Sequence, residues 1–354
     1  MGATPRSAQV RWPAEWERHR ATWLAWPHNP DTWPGHLDQV EAAFVEMVAA
    51  LQGREEVCIS VRDPAHAEHV QGLLAPRGLE RGTELHVLPT DDAWVRDHGP
   101  IFLAGEQGLA VADFVFDAWG RKYPPWDQDA SIPARIAEAL ELPRYVADFV
   151  LEGGSVDGNG AGTILTTDSC LLNANRRQPG EPERTREAME ARLADWLGAE
   201  CVLWLGDGIV GDDTDGHVDD IARFVDETTV VAAREADPSD PNHAPMEANF
   251  ALLRQMREAR GRPLSVVSLP LPPPVFVAGH RCPASYANFY LANGVALVPV
   301  FGESTDQRAL AILAELLPGR EMAPIPAREL VLGLGACHCL TQQEPLAGAP
   351  PGAA

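Results

Sequence analysis

The chain has 354 residues, 45% of them hydrophobic, which is enough for one large core or two medium ones and too many for a disordered chain. Its 28 Lys and Arg against 51 Asp and Glu leave a formal net charge of −23, which disfavours nucleic acid and anionic membrane as partners and suits a small cation. Taken alone, that charge says no more than an acidic, solubilising surface. Six scattered cysteines, no apolar run of membrane-spanning length and no signal-peptide core point to a reducing, cytoplasmic setting without a disulfide framework.

Residues 1–9 and the small, Pro/Gly-rich 346–354 read as flexible tails. Between them no Pro/Ser linker divides the chain, so 10–345 reads as a single domain. "TWLAWP" (22–27) and "EVCISV" (56–61) read as strands, and "HLDQVEAAFVEMVAALQ" (36–52) between them carries an apolar stripe at helical spacing. Further helices are expected at 131–140, 183–197, 245–260 and 304–317, the last opening on "STDQ", a Ser cap with Gln three later. That makes five helices.

Five polar or glycine-rich segments lie beside apolar strand runs. They are "WVRDHGPIFLAG", "LEGGSVDGNGAGTILTT", "DGHVDDIARFVDETTVVAA", "SYANFYLANGVALVPVF" and "CHCLTQQ". Taking Asp97, Glu152, His217, Asn288 and Cys339 as markers, the spacings are 55, 65, 71 and 51. Ordinary hairpins account for part of this pattern. The fuller reading is a degenerate α/β repeat near 60 residues, each with a small sheet and one helix. A radial arrangement would carry one end of every module, and so the polar markers, to a common axis.

"CHC" (337–339) admits four readings. On a strand, Cys337 and Cys339 face one way and His338 the other. The thiols are then simply packed, or part of a zinc site that recruits His217, or an i,i+2 disulfide of poor geometry, or one of them is a nucleophile. For the last reading, the following "TQQEP" offers amide donors and a carboxylate. In "DDTDGHVDD" (212–220), strand alternation would project His217 and Asp219 together, while a solvated turn or a calcium loop is the plainer alternative. Asp97 faces a site or only pairs with Arg96, and Trp94 offers a flat face to a cation. "EGGSVDGNG" (152–160) is not a dinucleotide motif, and Glu152 is a site carboxylate or a buried structural one. Asn288 donates into a site or caps a turn. A thiol, a histidine and spaced carboxylates together suit attack on a guanidinium, whose planar fork matches paired carboxylates.

The motifs "WVRDHGP", "LEGGS", "GDDTDGHVDD", "ASYANFYLANG" and "HCLTQQEP" resemble, over nearly the whole chain, those of the agmatine deiminase family, related to the bacterial peptidylarginine deiminases. The resemblance implies a five-bladed α/β propeller with pseudo-fivefold symmetry, the pentein fold. It implies hydrolysis of agmatine to N-carbamoylputrescine and ammonia through an amidino-cysteine intermediate, with no cofactor and no metal. It makes Cys339 the nucleophile, His217 the acid and base, and Asp97 and Asp219 the guanidinium-binding carboxylates. Trp94, Asn288 and Glu152 fall at substrate-binding positions, and Cys337 has no catalytic role.

The chain departs from the family pattern in two places. "EGGSVDG" is two residues shorter than usual, and "GLGACHC" replaces a run of three glycines with an Asn-Ile pair. A deiminase for free, peptidyl or modified arginine therefore stays open, as does a non-catalytic acidic polyamine- or cation-binding protein. A carboxylate-ended substrate would want Arg281 or Arg121 in the pocket. A non-catalytic binder would bury Cys339 away from His217. Pseudo-symmetry within one chain makes no homo-oligomer necessary, and leaves one open.

Overall fold

A computed structural model describes residues 4–348 as a mixed α/β fold. One scheme of strand pairing recurs five times. A short strand runs antiparallel to the next, and that second strand continues through helix to a third that lies parallel to it. The sets are Ile101–Gly105 with Gly108–Val115 and Arg144–Val150, then Asp157–Gly158 with Thr163–Thr167 and Cys201–Leu205. Next come Ala222–Phe224 with Thr229–Arg234 and Ser265–Pro270, and Tyr290–Ala292 with Val295–Val300 and Glu321–Pro326. The fifth joins the two ends of the chain. Gln342–Pro345 pairs antiparallel with His19–Ala25, which is parallel to Glu56–Val61 and, beyond it, Thr83–Val87.

The middle strands are apolar runs, such as "VALVPV" at Val295–Val300, because both their faces are covered. The helix Leu37–Leu51 buries Val40, Phe44, Val48 and Leu51 on one stripe. Each marker precedes the first strand of one sheet by two to five residues: Asp97, Glu152, His217, Asn288 and Cys339 in turn. The same end of every set therefore contributes one polar segment.

Several expectations need correction. A helix not foreseen spans Pro64–Leu74, and its start signal was present: Asp63 caps the His66 N–H at 2.8 Å, with Pro at the first position. The expected 245–260 helix is His243–Leu253, because the chain turns back after Met256, with Glu258 and Arg262 closing a tight loop. The last helix begins at Asp306 without the Ser cap; the Asp306 carboxylate instead receives the N–H groups of Phe301, Gly302 and Glu303. Of the expected N-terminal tail, Pro5–Ala8 forms a 3-10 turn with Pro5 buried against the helix Arg186–Leu197. Residues 1–3 and 349–354 of the two tails lie outside the described residues. Cys337–Leu340 is a turn rather than a strand, and Val218–Asp220 is a 3-10 turn. Strand alternation therefore does not govern either motif. All six cysteines are free.

Candidate active site

The polar segments meet. Asp97 and His98 lie in the single helical turn Val95–His98, and Asp97 Oδ1 accepts the Gly154 backbone N–H at 2.9 Å. His217 Nδ1 lies 3.6 Å from that same oxygen, and its Nε2 lies 3.9 Å from Glu152 Oε2. Gly154 sits where these groups converge. A Cβ there would lie 2.7 Å from His217 Nδ1, 2.9 Å from Asp97 Oδ1 and 3.0 Å from Asp219 Oδ2. Asp219 Oδ2 in turn lies 3.6 Å from Cys339 Sγ.

Asn288 holds the thiol's turn. Its Oδ1 accepts the backbone N–H groups of His338 at 3.0 Å and Cys339 at 3.3 Å, while its Nδ2 donates to Cys339 Sγ and to Asp220 Oδ1, both at 3.0 Å. Gly335 makes this possible, since a Cβ there would stand 2.6 Å from Trp94 and 2.9 Å from Cys339 Cβ. Trp94 is buried against Trp33, ring centroids 5.3 Å apart. Cys337 is fully buried in the core and does not line the cavity, whereas Cys339 does.

Burial and the Asp219, Asp220 and Asp97 carboxylates hold the Cys339 thiol well above its ordinary pKa. Burial lowers the His217 pKa, but Asp97, Cys170 and Glu152 outweigh it and carry the ring well above its ordinary value. Burial raises Asp97; His217 opposes the rise, and Asp219 and Glu152 add to it. Burial also raises Asp219, yet His338 and His217 reverse the sign and leave it below the usual carboxylate range. The thiol and the imidazole are thus surrounded by the carboxylates of Asp97, Glu152, Asp219 and Asp220.

The site opens into a cavity of about 460 Å³ whose lining includes Trp94, Asp97 and Cys339. Its wall also carries Asp31, Asp91, Asp92, Asp129 and Asp213, and Lys122 is the single basic side chain among the described lining residues. Arg121 pairs with Asp117, and Arg281 with Asp240; neither lines the cavity. Trp119 also lines it and donates Nε1–H to Asp97 Oδ2 at 3.0 Å.

Sequence reasoning missed several of these partners. Trp119 lies in a run of left-handed backbone, Ala118 to Arg121, that no sequence signal announced. Glu152 is buried and paired with Arg176 at 2.7 Å, as its structural reading expected, and its other oxygen lies 3.9 Å from His217. Arg96 does not pair with Asp97. It clamps the chain after the thiol, donating to Gln342 Oε1 at 2.8 Å and Gln343 Oε1 at 2.7 Å. The "TQQEP" amide oxygens thus accept from Arg96, Glu344 pairs with Arg20, and Gln342 Nε2 is buried without a partner, so neither amide is seen donating to Cys339 among the described residues. Glu15 and Asp220 also reach the site; Asp220 ends the 212–220 motif but was not singled out within it.

Two groups have ligand atoms close enough to share a metal ion: Cys58, Glu84 and His86, and Glu152, Cys170 and His217. In each an arginine already meets one ligand, Arg20 Nη2 at 3.8 Å from Cys58 Sγ and Arg176 at Glu152. No helix among the described residues is long and apolar enough to cross a membrane.

The family model described as Porphyromonas-type peptidyl-arginine deiminase matches residues 11–345. An agmatine deiminase of Stutzerimonas stutzeri is 37% identical, covering 98% of this chain and 98% of its own. One from Pseudomonas putida is likewise 37% identical with the same coverage. The solved agmatine deiminase of Enterococcus faecalis superposes with a TM-score of 0.89 at 34% identity, covering 98% of each chain.

Proposed function

The chain belongs to the Porphyromonas-type peptidyl-arginine deiminase family, and from that premise we propose that it is an agmatine deiminase, converting agmatine and water to N-carbamoylputrescine and ammonia. The observation that carries this reading is the cavity. Its acidic wall suits a substrate that is cationic at both ends, while the arginines that would hold a substrate carboxylate are paired elsewhere. Lys122, the one basic side chain of that wall among the described residues, is itself paired with Asp213 and Asp215. Cys339 lies 3.6 Å from Asp219, and Asp219 and His217 both border the Gly154 Cβ position, which supports a catalytic site over a non-catalytic binder.

In this reading Asp97 and Asp219 grip the guanidinium, against the face of Trp94. Burial and the carboxylates hold the Cys339 thiol protonated; the bound cation offsets the carboxylates and favours the thiolate, the thiol proton leaving to solvent as the substrate binds. The sulfur attacks the central guanidinium carbon. His217, held proton-rich by Asp97, Cys170 and Glu152, gives its proton to the departing ammonia. The neutral ring then takes a proton from water, which attacks the same carbon; the C–S bond breaks and the urea product leaves. No step needs a cofactor or a metal. We read residues 10–345 as one catalytic domain of cytoplasmic setting, its five repeated strand sets as blades about an axis through the site. The five repeats of one strand scheme support that arrangement.

The test is an ammonia-release screen over agmatine, arginine, a peptidylarginine and methylated guanidines. Agmatine should give the highest kcat/KM. Preferential turnover of arginine or peptidylarginine would replace agmatine as substrate, and silence on all four would remove the deiminase reading.

A further inference from the structure

His338 is the one imidazole beside the thiol that the mechanism above leaves unused. It is buried, 2% exposed, and both its ring nitrogens meet carboxylates. Nδ1 lies 2.7 Å from Asp219 Oδ2, and Nε2 lies 2.8 Å from Glu15 Oε2. Two such hydrogen bonds need two protons, so the Asp219–His338–Glu15 set carries a net charge of −1 wherever those protons reside. Glu15 is itself fixed, accepting the Leu291 N–H at 2.8 Å and pairing with Arg223 at 2.9 Å and Arg96 at 3.4 Å. The ring therefore connects an anchored carboxylate to a site carboxylate.

The consequence falls on Asp219. With Oδ2 engaged by His338, its other oxygen Oδ1 is buried and has no partner among the described residues. An unengaged buried carboxylate oxygen is costly unless something arrives to use it. A guanidinium N–H is such a group. Without the His338 bond, the carboxylate could turn or take up a proton, and Oδ1 would no longer be a fixed acceptor.

We propose that His338 is a positioning residue for the deiminase reaction, one that locks the Asp219 carboxylate through Nδ1 so that it stays a fixed acceptor for the substrate guanidinium, with Oδ1 still free to take an N–H. This rests on the reading of Asp219 as a guanidinium-binding group. It assigns the two ring nitrogens different duties. The Nδ1 bond serves substrate binding, and the Nε2 bond to Glu15 anchors the ring. The depressed Asp219 pKa agrees, since burial raises it and the His338 hydrogen bond is the strongest influence in the other direction.

Two amide substitutions separate these duties. In His338→Asn the amide N–H occupies the Nδ1 place and still donates to Asp219. In His338→Gln it occupies the Nε2 place and reaches Glu15 only. Ammonia release from agmatine is measured for both, and agmatine binding is measured by calorimetry in a Cys339→Ala background, with thermal unfolding of each protein alongside. The Gln variant should raise KM and the calorimetric Kd about tenfold or more, while the Asn variant shifts both by only a few-fold. Equal losses in the two variants, or loss of the folded state in both, would overturn the proposal and assign His338 to the fold. If Cys339-intact protein turns over no guanidine while the Cys339→Ala form binds agmatine with the expected Asn/Gln contrast, the deiminase reading fails and the positioning role stands.

Discussion

The backbone N–H of Gly154 donates to Asp97 Oδ1 at 2.9 Å, and the missing side chain of that glycine is the space in which His217, Asp97 and Asp219 face one another. A methyl group at this point would crowd three polar atoms at 3.0 Å or less. Gly154→Ala should therefore cost stability only modestly, about 1–3 kcal/mol as for other overpacked sites. Its effect on turnover should be far larger, on the order of 10²-fold, because small displacements of catalytic groups are amplified in rate. Steady-state kinetics beside a denaturant melt checks this; an active Gly154→Ala protein would mean the guanidinium binds elsewhere.

The two thiols of "CHC" should behave differently. Cys339 lies 3.6 Å from Asp219 and 3.0 Å from the Asn288 amide, whereas Cys337 is enclosed in the core. Cys339→Ala should abolish ammonia release, with the loss in kcat. Cys337→Ala should retain most activity and lose about 1 kcal/mol of stability, from removal of one buried atom. Comparable inactivation of both would sink the single-nucleophile assignment.

The pH dependence of thiol alkylation follows from the charges around it. Burial and three carboxylates favour the neutral thiol, so the Cys339 pKa lies above the ordinary value and the reactive thiolate gathers only at high pH. Iodoacetamide, which is uncharged, should modify the free protein slowly at neutral pH, its rate still climbing above roughly pH 8.5, the ordinary cysteine pKa. A bound non-reactive guanidinium offsets the same carboxylates and should bring the thiolate's appearance to lower pH. A thiol that alkylates fully by pH 7 in the free protein would contradict this electrostatic picture.

Arg176 is buried among Glu152, Asp215 and the Thr214 carbonyl. Removing it leaves Glu152 as an unpaired charge in the interior. Arg176→Ala should cost about 3–5 kcal/mol, the usual result of breaking one side of a buried pair. Urea unfolding reads this directly. A loss below about 1 kcal/mol would show that water or another cation takes over.

Much of the site was legible in the sequence. The five markers stood out because short polar segments before apolar strands cannot be core, and the structure brings Asp97 to 3.6 Å and Glu152 to 3.9 Å from His217, and Asn288 to 3.0 Å from Cys339. The strand scheme was legible as a repeat, since each set needs a buried middle strand and a covering helix. Local signals failed where a turn replaced a strand, as at Val218–Asp220 and Cys337–Leu340, because alternation has no meaning there.

The amino-acid sequence by itself determined the chemical inventory: a cysteine, a histidine and paired aspartates, each on a short segment that hydrophobic patterning forced to the end of a strand. Tertiary structure alone decided their partners. Arg96 went to Gln342 and Gln343, His338 to Asp219 and Glu15, Arg176 to Glu152, and Trp119 to Asp97. These pairs join residues from 22 to 323 positions apart. Hydrophobic periodicity is set within a few residues, whereas a buried charge takes whichever partner the packed layers bring within about 3 Å, to offset its loss of water.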